Sequence, residues 1–80
     1  MANIKLKILM ETSTKRRADD TVVHTYLTVS QESQIAYVFV TDGLASKMNK
    51  DDYIVLTDCR VATKDDVIFI NVQQTTKVTC

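Results

Sequence analysis

The sequence predicts an all-β domain of five short strands, with one short helix between the third and the fourth. Two observations carry this reading. Apolar residues recur with a period of two, as where Ile4, Leu6 and Ile8 alternate with Lys5 and Lys7. The period turns helical only once, where Leu44 and Met48 stand four apart. At 80 residues the chain makes one domain, 1–80, without an internal repeat or a linker.

Taken in order, strand one runs from Asn3 to Thr12, and the polar residues 13–20 form a loop. Strand two spans Thr21 to Ser30. Val23, Leu27 and Val29 share the face expected to turn inward, with His24, Tyr26 and Thr28 on the other. Residues 31–34 suit a hairpin connection. Strand three, Ile35 to Thr41, is apolar on both faces: Ala36, Val38 and Val40 against Ile35, Tyr37 and Phe39. Asp42 is placed to cap the short helix. Strand four follows the Asp51-Asp52 turn and carries Ile54, Leu56 and, further on, Val61. Lys64-Asp65-Asp66 supplies another turn. Strand five, Val67 to Val72, sets Ile68, Ile70 and Val72 against Val67, Phe69 and Asn71, and a Thr-rich polar tail closes the chain. With one Gly and no Pro, the turns fall to Asp, Asn, Ser and Thr.

Composition excludes several classes of function. Neither an apolar signal core nor a stretch of about 20 apolar residues is present, so an intracellular, non-membrane protein is expected. Cys59 and Cys80 match no zinc spacing and are expected as reduced thiols. A single glycine rules out a phosphate-cradling Gly-rich loop. The acidic pairs 19–20, 51–52 and 65–66 fall in turns, where adjacent side chains diverge, so no metal site is expected. His24, the only histidine, reads as a plain surface residue without a carboxylate or nucleophile predictably beside it. The chain is therefore expected to bind rather than catalyse, with no cofactor and no small-molecule substrate. Ten basic and ten acidic residues cancel, which weakens a nucleic-acid partner unless the basic ones cluster.

One stretch narrows the fold further. Val38-Phe39-Val40-Thr41-Asp42 ends strand three, Gly43 to Met48 forms the helix, and Asp51-Asp52-Tyr53-Ile54-Val55-Leu56 opens strand four. From Val22 to Val78 this pattern resembles OB-fold single-stranded-DNA-binding domains, such as the small OB domains of replication protein A and its relatives. Filamentous-phage single-strand-binding proteins are similar in length and strand order. Where the family has Gly in the turn before strand four, this chain has Asp51, which tolerates left-handed backbone angles.

The resemblance implies a five-stranded OB-type barrel with a groove across strands two and three, flanked by the loops joining strands one to two and four to five. On this chain the first loop holds Lys15, Arg16 and Arg17, and the second region holds Arg60 and Lys64. His24 and Tyr26 lie on strand two, and Tyr37 and Phe39 on strand three. The implied ligand is single-stranded DNA or RNA, held by aromatic stacking and a basic loop. Two questions stay open at this level. Tyr37 and Phe39 either form the platform or fill the barrel, and the Lys15–Arg17 cluster is either a phosphate clamp or a solvated loop tip. Zero net charge favours added avidity from a homodimer or a partner subunit covering Val67, Phe69 or Ile35. A structural OB subunit that contacts only protein is the rival reading.

Overall fold

The computed structural model of the chain describes residues 3–57, 59–72 and 77–79. It is all-β with one short helical turn. The elements are β1 (Asn3–Arg16), β2 (Val22–Ser30), β3 (Ile35–Thr41), α1 (Asp42–Ala45), β4 (Tyr53–Thr57), β5 (Arg60–Lys64), β6 (Val67–Asn71) and β7 (Lys77–Thr79). They form one curled, half-barrel sheet in the order β5-β6-β3-β2-β1-β4-β7. All neighbours are antiparallel except β3 and β6, which run parallel.

Seven strands replace the five expected. The expected strand four is two strands: β4 pairs with β1, while β5 starts three positions after Thr57 and pairs with β6. Val61 therefore belongs to β5, where it is exposed. Lys77–Thr79 pairs with the outer edge of β4 as β7, so that part of the tail is strand. Residues 73–76 and Cys80 lie outside the described residues.

The first strand is longer than its apolar alternation suggests. Ser13, Thr14, Lys15 and Arg16 continue β1 because β2 supplies them with partners, from Thr25 to Val22. Leu9 and Thr12 have no opposite residue in β2, so each is the extra residue of a bulge that bends β1.

Small polar residues take the place that glycine holds in most sheets. Asp20, Ser33, Asp51, Asp65 and Asp66 all have φ between 52° and 68°, whereas the one glycine, Gly43, sits in α1 without a positive φ. Asp51 thus adopts the left-handed conformation its position demands. Asp65 and Asp66 are the two central residues between the paired Lys64 and Val67, the two positive-φ positions of a type I′ hairpin. Around Ser33, the Ser30 hydroxyl accepts hydrogen bonds from the backbone N–H groups of Glu32 and Gln34.

The core lies on one face of the curled sheet. Leu6, Ile8, Tyr26, Ala36, Val38, Val40, Met48, Ile54, Leu56 and Ile70 form it, with Leu44, Ile68 and Val72 packed against its margin. The inward face of β2 is thus His24, Tyr26 and Thr28, opposite to the expected Val23, Leu27 and Val29; on the outer side Val23 is buried and Leu27 and Val29 are half-buried. Register decides this. Thr28 faces Ala36 and Tyr26 faces Val38 across β2–β3, on the side where the aliphatic residues of β1, β3, β4 and β6 converge. Thr28 is accommodated there because its hydroxyl donates to the Ala36 carbonyl at 2.8 Å, leaving no unsatisfied polar atom.

The helix is a single turn. Its N-cap is Thr41 rather than Asp42, and Asp42 is the first helical residue. Leu44 and Met48 do share a side, for both pack on the core, although the helix ends at Ala45.

Candidate nucleic-acid interface

Tyr37 and Phe39 alternate with the buried Ala36, Val38 and Val40, so β3 turns both rings to the outer face, where they are half-buried. The inner face is already filled by Leu6, Ile8, Tyr26, Ile54, Leu56 and Ile70, and two more rings have no room there. The parallel pairing of β3 with β6 then sets Phe69 opposite Tyr37. Phe69 lies 5.8 Å from Tyr37 and 6.4 Å from Phe39 between ring centroids, with interplanar angles of 19° and 11°. The three rings make one near-parallel apolar platform on the sheet surface.

Directly paired residues share a face, so the register also tells which side chains flank the platform. Arg60 faces Asn71, which faces Phe39, and Lys64 faces Val67 on the Phe69 side of β6. Along β1, Lys15 pairs with Val23 and Ser13 with Thr25, and Thr25 in turn faces Phe39. The bulges at Leu9 and Thr12 preserve this alternation by shifting register twice. A cavity of about 400 Å³ there is lined by Lys15, Arg16, Arg17, Val23, Thr25 and Phe39, among others. The basic segment therefore reaches one end of the platform.

The charge pattern resolves the zero net charge. The outward strand positions carry Lys5, Lys7, Lys15, Arg60 and Lys64 and no carboxylate among the described residues. The described acidic residues are in turns, at the start of α1, or, for Glu11, on the inner side of β1 opposite Tyr26. Arg16 makes an exposed contact with Asp20 at 3.8 Å, a pair that contributes little. Asp19 is held below its ordinary pKa by the Thr21 backbone N–H that its carboxylate accepts at 3.1 Å.

Two residues expected in the groove are elsewhere. Tyr26 is buried in the core, and its hydroxyl donates to the Ala45 carbonyl at 3.4 Å. Burial pushes that hydroxyl's pKa up, and the nearby carboxylates of Glu11 and Asp42 add to the shift. His24 shares the inner side of β2, and its side chain is only 15% exposed. It does have carboxylates beside it: Nδ1 is 2.9 Å from Glu11 and Nε2 is 2.7 Å from Asp42. These two hydrogen bonds, Glu11 first, raise the imidazole pKa, while the bond to His24 lowers that of Glu11. Thr14 also donates to Glu11 at 2.8 Å. The cluster ties β1, β2 and the start of α1 together at the sheet rim, away from the aromatic platform.

Of the residues read from the sequence, Lys15, Arg17, Tyr37, Phe39, Arg60 and Lys64 gather around one outer face, Arg16 lines the cavity at its end although its register alternates to the other side, and His24 and Tyr26 are elsewhere. Phe69, which the sequence offers only as part of an interface, completes the platform. Its alternation with Ile68 and Ile70 sets it outward, but only the parallel β3–β6 pairing brings it to Tyr37. No protein-family model matches the chain, and no curated protein matches it.

Proposed function

We propose that the chain binds single-stranded nucleic acid, without catalysis, on the outer face of β3 and β6. The observation that carries this reading is the stack of Tyr37, Phe39 and Phe69, flanked by basic residues on strands that bear no outward acid. Unpaired bases stack on flat rings, and the basic flanks neutralise the phosphates on either side. On this reading β4 and β5 together take the place of one strand of that fold. The order β6-β3-β2-β1-β4/β5, with β3 and β6 parallel, then corresponds to a five-stranded OB-type barrel with β7 as an added edge. The basic segment at the β1–β2 connection and the β5–β6 hairpin flank the platform as the loops of that fold flank its groove.

The decisive experiment is fluorescence anisotropy of labelled oligo-dT and oligo-U of about 20 nucleotides, titrated at low and moderate salt. Saturable binding that weakens steeply with salt is expected, since each phosphate contact releases counterions. Absence of binding at any salt defeats the reading. The rival, a subunit docking only protein through this face, draws support from Met10 and Ile35, which are 51% and 38% exposed near the platform. Salt-insensitive self-association or partner binding without affinity for either oligonucleotide favours it.

A further inference from the structure

The face described above does not end at β2. Across β2 and β1 the register runs from Val29 to Lys7 and from Lys7 to Tyr53 of β4, so all three share the outer side. Lys5 stands on that side too, opposite Val55. Tyr53 is 57% exposed, and its ring contributes nothing to the core cluster. The ammonium groups of Lys5 and Lys7 lie 5.7 and 5.8 Å from its ring centroid. Neither lysine pairs with a carboxylate among the described residues. Two like charges drawn to one ring repel each other, and an anion placed between them relieves that repulsion. Beside them opens a cavity of about 450 Å³, lined by Lys5, Lys7, Val29, Ser30, Gln31 and Tyr53, among others.

We propose that Tyr53, Lys5 and Lys7 form a second subsite for the same single-stranded ligand, in which a base stacks on Tyr53 and the adjoining phosphates lie against the two lysines. The inference rests on the reading of the Tyr37–Phe39–Phe69 face as a single-strand interface. Across the sheet Tyr53 lies three strand spacings from β3, roughly 14 Å at about 4.8 Å each, in register with Ile35, two residues from Tyr37. Between Tyr37 and Lys7 the outer positions of β2 and β1 are Leu27, Val29 and Met10, uncharged ground that a polynucleotide can cross. The ligand path thus extends beyond β2–β3 to span most of the sheet, from Arg60 to Tyr53.

Oligonucleotide length separates this subsite from the platform. Dissociation constants are measured for oligo-dT of about 4 and about 16 nucleotides, the range of single OB-domain sites. The proteins compared are wild type, Tyr53→Ala, Lys5→Gln/Lys7→Gln and Phe39→Ala. Tyr53→Ala and the double lysine variant are expected to match wild type on the short oligomer and to bind the long one about tenfold more weakly. The lysine variant should also lower the salt slope on the long oligomer by about 1.4, at about 0.7 for each phosphate no longer neutralised. Phe39→Ala is expected to weaken both lengths. If wild type binds but the Tyr53 and lysine variants match it at both lengths, or lose affinity equally at both, the second subsite is overturned and the platform stands. If wild type binds neither oligomer, both readings fall together.

Discussion

On the outer side of β1, Lys5, Lys7 and Lys15 have no carboxylate within pairing distance among the described residues, whereas on its inner side Glu11 is joined to His24 and, through it, to Asp42. The same strand holds charge in two regimes. At the rim each charge is compensated within the fold, and the pairs connect three elements. On the outer face the positive charge is left open to solvent, beside rings that the core does not need. Charge that serves the fold is neutralised by the fold, while charge left open remains available to a ligand. A zero net charge averages the two and hides both.

The largest expected effect breaks the comparison between the two sides of the sheet. Leu56→Ala, on the inner side, should cost about 2–5 kcal/mol in denaturant-measured stability. Phe39→Ala, on the outer side, should cost far less stability and instead remove about 1–3 kcal/mol of oligonucleotide binding, read by anisotropy. Equal destabilisation by the two would place Phe39 in the core and abolish the platform.

A smaller effect concerns the β5–β6 hairpin that presents Arg60 and Lys64. Replacing Asp65-Asp66 by Asn-Gly should raise stability by about 1 kcal/mol, because both positions require positive φ and two adjacent carboxylates repel. Thermal denaturation checks it. Oligonucleotide affinity should not fall, since no ring or basic side chain is changed.

The smallest effect belongs to the rim. The two carboxylates raise the pKa of His24 above 6.5, so its pairing stabilises the fold fully below that pH. This contribution is lost as pH rises through the raised value. For Glu11, whose pKa lies below 4.5, stability is present above that pH and fades as pH falls through the lowered value. His24→Gln should flatten the stability profile on its alkaline limb without altering oligonucleotide affinity at neutral pH. Urea midpoints across the range from about pH 6 to about pH 9 read the limb directly, and an unchanged profile would mean the rim cluster contributes nothing.

How much of this was legible in the residues varied with the range of the interaction. The strands of β3 and β6, the turn at Asp51 and the outward pairing of Tyr37 with Phe39 as one of two alternatives follow from local alternation and turn chemistry. The inward face of β2 does not, because Leu27 and Val29 look as apolar as Tyr26 and more so than Thr28. Only the register against Ala36 and Val38 settles it. The end of β1 is similar: residues 13–16 are polar by composition and strand by partnership with β2. In the site, Lys15, Arg16 and Arg17 were visible as a cluster, while Arg60 and Lys64 came only with the resemblance. The third ring was not, since Phe69 meets Tyr37 only through a parallel pairing of distant segments. His24 found carboxylates that lie 13 and 18 positions away in the chain, beyond any local pattern.

The two bulges in β1 have a consequence for how this sheet can change. Because Leu9 and Thr12 are each an unmatched extra residue, the residues on either side of them already alternate correctly with one another. Deletion of either leaves Lys5, Lys7, Met10, Ser13 and Lys15 outward and Leu6, Ile8, Glu11 and Thr14 inward, and only straightens the strand. Away from the bulges, the loss of one residue turns over the side chains that follow it, up to the next bulge. Curvature and chemistry are thus separately heritable in this strand: a three-nucleotide deletion at codon 9 or 12 reshapes the arc on which a ligand would lie without rewriting the letters it would read.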